Sequence, residues 1–382
     1  MLWIKNARLM TMSHGIVENA SLLVENGHIA ALGSNLDVAD DVTVYDATGK
    51  TITPGLIEAC GRPGLHEETV GAIGADEDEV QEKMGTYLKA LDGILPTDLS
   101  FQDALEGGVT TVNVCPGSSA IVAGQSAVIH TAGSNIIDKM VVKEPFGLYV
   151  NLVGGGNPRQ GFRDRSEMVA KLVSELQKAK EFMAKRDKAA KEGKDLPEAG
   201  YRLAPMVDVL EGKLPLIMQV VYLHDIQNAL ELANEWGFRV ILQRVSEGYF
   251  CVEELVKAKV EMMVGPILMN RRGLFQTTSH KTPGILSQAG LRFALSTEHP
   301  QTGIDHLVTT AAIACREGMN EEEAFKAITL YPAQILGIDE QMGSLEVGKR
   351  ADLVIWSGHP FETLTKVETV FIDGNIVLDR RG

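Results

Sequence analysis

Cysteine is scarce and scattered in this chain: Cys60, Cys115, Cys251 and Cys315 are the four in 382 residues, and no CxxC occurs. That excludes a disulfide framework or a zinc ribbon as the organising device. Cationic residues are outnumbered, 36 Lys and Arg against 51 Asp and Glu, for a formal net charge of −15. A surface of that sign argues against nucleic acid and anionic membranes as partners, because both select basic patches. No apolar run approaches the roughly 20 residues needed to cross a bilayer. The opening MLWIKNARLM lacks the apolar core and small-residue cleavage site of a secretion signal, so a cytoplasmic protein is expected.

What is present is a globular composition long enough to bury the core of one large barrel or of two ordinary domains. Residues 1 to 53 carry short alternating runs, with Asn26-Gly27 as a hairpin turn between Leu22-Leu23-Val24 and Ile29-Ala30-Ala31. The last forty residues have the same character: Ala351 to Trp356 reads as a strand, and Asp373-Gly374-Asn375 as a turn between Val367–Ile372 and Ile376–Asp379. Between the two ends, strand candidates at Val109–Val114, Gly147–Val153, Leu216–Val221, Arg239–Leu242, Val260–Val264 and Arg292–Leu295 alternate with helical stretches. Helices are expected at Asp98–Glu106, Ile226–Trp236, Val252–Ala258 and Glu321–Thr329. The clearest helical face is Met168, Leu172, Leu176, Ala179 and Met183, followed by a solvated stretch from Lys185 to Asp195. The expected architecture is α/β: a (β/α)8 TIM barrel over 54–339, with a small β-sandwich-like domain built from 1–53 and 340–382.

The stretch Thr53 to His66, TPGLIEACGRPGLH, reads as a buried strand that delivers Cys60 and Arg62 to a loop. Cys60 is weighed as a thiol nucleophile activated by Arg62 against a buried strand-end cysteine, and the second reading is preferred. His66, Glu67 and Glu68 lie past Pro63-Gly64, on a loop, and are read as solvated or at an interface in preference to a rebuilt metal site with Cys60. His224 and Asp225 are placed as caps of the helix beginning near Ile226. Pro116 to Gln125 reads as a loop rich in backbone donors, and Ser118, Ser119, Gln125 and Asn151 are expected to line a ligand pocket.

Several segments, in order along nearly the whole chain, resemble the amidohydrolase superfamily of metal-dependent hydrolases, which includes dihydroorotases, hydantoinases and imidazolonepropionases. They are Asp46 to Gly49 leading to Thr53-Pro54-Gly55-Leu56-Ile57-Glu58-Ala59; Gly107 to Val112; Leu295-Ser296-Thr297-Glu298-His299-Pro300; Ala327 to Gly337; and Gly343 to Val354. The resemblance implies a divalent metal at the mouth of a parallel barrel, activating water for hydrolysis of non-peptide C–N bonds. It also implies His-x-His after the first strand, a histidine from each of two middle strands, often a lysine, and an aspartate after the eighth strand.

This chain departs from that pattern wherever it aligns. Cys60 and Arg62 stand for the first two histidines, Gln219 and Val221 for a further His-x-His, Arg244 for another histidine, and Asn151 for the lysine; Glu298 replaces the aspartate. Arginine stays protonated and cannot ligate a cation. The expected arrangement is therefore no metal and no other cofactor, with Zn or Mn as the alternative, and an ion pair of Arg62 or Arg244 with Glu298. Drift of unselected positions is the plainer reading, and an anionic small molecule held by the arginines is another. His299 is expected to pack or to support, not to ligate. For function the resemblance leaves two readings: a non-catalytic binding or regulatory subunit, as a homo-oligomer or beside a paralogue, or a hydrolase of non-peptide C–N bonds, cyclic amides among them, using a rebuilt or metal-free site.

Overall fold

A computed structural model describes residues 1–34, 36, 41–153 and 164–381 of the chain. Of the Gly147–Gly156 segment that lacks a lysine, residues 154–156 lie outside the described set. The described residues form a mixed α/β protein with sheets of eight, six and four strands. Among them, no helix is long and apolar enough to cross a membrane.

The two ends of the chain meet in the eight-stranded sheet, where Leu353–Trp356 runs antiparallel to Thr51–Pro54 with Leu353 opposite Pro54. The Asn26-Gly27 and Asp373-Gly374 hairpins form as expected, with all four residues in left-handed conformations that Asn, Asp and Gly tolerate. The sheet is mixed, not purely antiparallel. Leu2–Met10 bends at Asn6 (φ 61°), and its two halves take different parallel partners, Thr43–Asp46 and then Thr51–Pro54. The strands make one sheet curled around its own core, not a pair of sheets. Tyr45 reaches Phe371 at 6.4 Å between ring centroids although their strands do not pair.

The middle of the chain supplies the parallel strands. Leu148–Asn151, Leu216–Val220, Val240–Arg244, Glu261–Val264 and Ala294–Leu295 pair in order, and Leu56–Gly61 pairs with Val109–Val114. Their side chains are almost all buried on both faces, as for strands covered by helices. The loop expected over Pro116–Gln125 is partly strand: Val122–Gln125 runs antiparallel to Leu148–Asn151. Its Gly124, at φ 138°, gives no alternating apolar pattern to read. The strands Ala127–His130 and Val141–Lys143 are likewise additions to the sequence reading.

Helix ends follow local chemistry. Asp98 and Asp164 accept from the backbone N–H groups of Ser100 and Ser166 and so start Leu99–Glu106 and Arg165–Lys191. The longer helix buries Met168, Leu172, Leu176 and Ala179, the stripe its spacing predicts. The helix expected from Ile226 begins earlier, at Leu223, because Asp225 sits inside its first turn and accepts from Val221 N and Tyr222 N. His224 is half exposed and plays no cap role. Glu321–Lys326 stops short of the expected Thr329.

Candidate functional site

Three of the parallel strands end by turning a side chain toward Glu298. Arg244 is the last residue of Val240–Arg244, Gln219 lies one residue from the end of Leu216–Val220, and Arg62 follows Leu56–Gly61. Glu298 itself is completely buried. Arg244 holds it with a two-pronged grip: Nε donates to Oε2 at 2.8 Å, and Nη2 donates to Oε1. Arg62 Nη2 donates to Oε1 at 3.4 Å and Gln219 Nε2 at 3.3 Å. A bidentate guanidinium–carboxylate pair is the strongest of the common ionic hydrogen-bonding arrangements. The added methylene of Glu over Asp lies on the connection that reaches these groups.

The backbone that presents the pair is unusual. Arg244 (φ 81°), Val245 (φ 50°) and Glu298 (φ 50°) are all left-handed, a costly choice for side-chain-bearing residues and most of all for β-branched valine. Val245 N donates to Val220 O at 3.0 Å and Glu298 N to Ser296 Oγ at 3.0 Å, which hold both turns in place. The Phe275 ring then covers Arg244, 4.7 Å from the guanidinium carbon.

Below the pair lies a second buried carboxylate that sequence reasoning left unassigned, Glu58. Its Oε1 accepts from Ser296 Oγ at 2.6 Å and Cys60 N at 3.1 Å, and its Oε2 from Thr297 N at 2.8 Å and Thr297 Oγ1 at 2.6 Å. Burial raises the Glu58 pKa, and these donated bonds oppose the rise. Glu298 feels the same burial, but the charges of Arg244 and Arg62 outweigh it and hold its carboxyl below the usual range. The signal for Glu58 was a single charge inside the apolar run Leu56 to Cys60.

Cys60 is fully buried beside Cys115, and burial, then Cys115 and the Glu298 charge, push its thiol well above the ordinary range against the weaker pull of Arg62. Its complete burial agrees with the preferred reading of Cys60 as a buried strand-end cysteine, a setting that disfavours the thiolate. His299 is buried, and neither ring nitrogen has a hydrogen-bond partner; burial lowers its pKa to about 4, so it is neutral. Its carbonyl accepts from Arg62 N at 3.0 Å, which ties Arg62 to the Glu298 turn.

The remaining expected residues hold loops. Asn151 Nδ2 donates to Ser118 O at 2.6 Å, Gln125 Nε2 to Thr86 O at 3.0 Å, and Ser119 N to Asp78 Oδ1 at 2.8 Å. His66 Nδ1 lies 3.0 Å from Glu77 Oε1, and Glu68 faces His299 at 3.4 Å. Among the described residues, His66, Glu67, Glu68 and Cys60 form no cluster with metal-ligand spacing. Of the side chains that grip Glu298, Arg62 and Arg244 have no capacity to ligate a cation. The Glu298 oxygens already accept from Arg244, Arg62 and Gln219.

A mixed α/β scaffold with polar and charged side chains converging at the carboxyl ends of parallel strands defines the class of α/β proteins that place their sites at strand ends. Within that class the chain belongs to the amidohydrolase family. The family's profile matches residues 251–377. The crystal structure of an amidohydrolase from Thermotoga maritima MSB8 superposes over 100% of both chains, with 34% identity and a TM-score of 0.94. Among curated relatives, an imidazolonepropionase of Geobacillus sp. (strain WCH70) is 25% identical over 95% of this chain and 91% of its own length. The amidohydrolase tasK of Hapsidospora irregularis is 21% identical over 94% of this chain, which spans only 40% of that longer protein.

Proposed function

We propose that this amidohydrolase-family chain works without a metal at its strand-end mouth, as a binding or regulatory subunit and not as a metal-dependent hydrolase. The observation that carries the reading is the buried Arg244–Glu298 grip, reinforced by Arg62 and Gln219. A divalent ion does not fit that donor set, because two permanently protonated guanidiniums occupy the ground around the one central carboxylate. Without a metal, the family reaction lacks its means of making hydroxide at neutral pH. Two nearby groups do not replace it: Glu298 is tied up with a lowered pKa, and burial holds the Cys60 thiol well above the ordinary range.

The same reading takes the parallel strands as a closed (β/α)8 barrel over 54–339, carried beside a unit made from 1–53 and 340–382. Closure is supported by hydrogen bonds that bridge the four- and six-stranded sheets through their connecting segments, Ile57 N to Ile328 O and Leu295 N to Ala327 O. A second copy of this chain or a paralogue is the partner such a subunit would serve.

The imidazolonepropionase relatives favour the other reading, hydrolysis of a cyclic amide. The purified protein, supplied with Zn2+ or Mn2+ and assayed on five- and six-membered cyclic amides including imidazolones, separates the two. The expected result is no turnover above buffer. Metal-stimulated turnover that disappears in Glu298→Ala would overturn the proposal.

A further inference from the structure

On the order of 20 Å from the mouth, measured along the strand from Gly55 to Arg62, lies a second cluster of ionisable groups. Asp352 immediately precedes Leu353–Trp356, and its carbonyl accepts from Gly55 N at 2.8 Å, at the start of the strand whose far end carries Arg62. His130 closes the strand Ala127–His130, opposite Thr111. Asp373 sits in the turn between Val367–Ile372 and Asn375–Asp379, and its N–H donates to Asp352 Oδ1 at 2.8 Å. Each of the three side chains offers one ligand atom, and those atoms lie within 4.8 Å of one another.

A cluster of this kind means little by itself; its unsatisfied atoms are what give it weight. Asp352 is 4% exposed, and its Oδ2 has no hydrogen-bond partner although it faces His130 Nδ1 at 3.9 Å. His130 is equally buried; its Nδ1 also lies 3.3 Å from Thr110 O and 3.5 Å from Thr111 Oγ1, while its Nε2 has no partner. A buried carboxylate oxygen without a partner costs several kcal/mol unless a proton, a water or a cation meets it. Arg350 does not meet it, because its guanidinium is committed to Asp373, with Nε 2.6 Å from Oδ1 and Nη2 on Oδ2.

We propose that His130, Asp352 and Asp373 form a binding site for one first-row divalent cation, distinct from the mouth, that clasps the turn between the last two strands to the central sheet. One imidazole nitrogen with two carboxylates suits Zn2+ or Mn2+ better than Mg2+ or Ca2+, which prefer all-oxygen shells. Opposite ligands on bonds of ~2.1 Å stand ~4.2 Å apart, so the set tightens slightly onto the ion. Arg350 then acts as the group that orients a ligating carboxylate, whose oxygens each keep a free lone pair. A cleft of about 610 Å3 lined by His28, Glu340, Gln341, Arg350 and Asp373 reaches one of the three ligands, Asp373, from solvent.

The test uses the full chain stripped with a chelator and titrated calorimetrically with Zn2+ and separately with Mn2+. One ion per chain is expected, with affinity lowered at least about tenfold in both His130→Gln and Asp373→Asn. Asp373 lies on a half-buried turn, so its variant folds even where Asp352→Asn does not. Co2+ loading supplies a second readout, a visible absorption band that both variants lose. Absence of stoichiometric binding, or binding unchanged in both variants, overturns the site. Binding that survives them but is lost in Gln219→Ala would instead place the ion at the mouth and overturn the proposed function as well.

Discussion

Arg244, the last residue of its strand, and Glu298, three residues past the end of Ala294–Leu295, both have left-handed backbone conformations and form a buried bidentate ion pair. A buried pair of this kind gains little over an apolar substitute, but breaking it strands a charge. Glu298→Gln is therefore expected to cost about 3–5 kcal/mol, read as a fall in the urea midpoint. The double variant Arg244→Met with Glu298→Gln should cost clearly less than the sum of the two single changes. Simple additivity would show that the two side chains are not coupled.

The neutral, buried His299 makes stability depend on acid. Its folded pKa is lowered to about 4 from 6.5, so the unfolded chain takes up the proton first. Its contribution is fully present above about pH 6.5 and is lost as pH falls toward 4, an effect worth roughly 3 kcal/mol at most. His299→Asn should flatten the stability profile in that window, and an unchanged slope would assign the acid sensitivity to other groups. Glu298 adds a loss at lower pH, as protonation overcomes its depressed pKa.

Thiol chemistry separates the cysteines. Cys60 and Cys115 are completely buried, whereas Cys315 is only partly so. Alkylation of the native protein near pH 8, mapped by mass spectrometry, should modify Cys315 first and leave Cys60 untouched until the chain unfolds. Rapid native modification of Cys60 would revive its reading as a nucleophile.

Close packing decides the entry to the central sheet. A Cβ on Gly55 would stand 2.0 Å from Thr110 Oγ1, with no room for either to move far inside the core. Gly55→Ala should destabilise by about 1–3 kcal/mol, measured by thermal or urea unfolding, although alanine suits most backbones better than glycine. A neutral effect would mean that Thr110 rotates away freely.

Much of this protein was written in local signals. Asn-Gly and Asp-Gly turns, alternating strand runs and the Met168-to-Ala179 stripe are short-range patterns, and they set the strands at both ends and the longest helix. The meeting of Arg62, Arg244 and Glu298 was also legible, because the family resemblance aligned three distant segments on one expected site. Other features depended on partners far apart in the chain that leave no pattern in either segment. Strand Val122–Gln125 exists because Leu148–Asn151 lies beside it, and Glu58 is satisfied by Ser296 and Thr297 more than two hundred residues away. His130 sits in an ordinary apolar run, and only folding brings it to Asp352 and Asp373. Sequence alone determined many of the elements, through periodicity and turn chemistry, and the family, through the segments that resemble it. Tertiary structure decided which buried charges found partners, because compensation depends on distance in space and not along the chain.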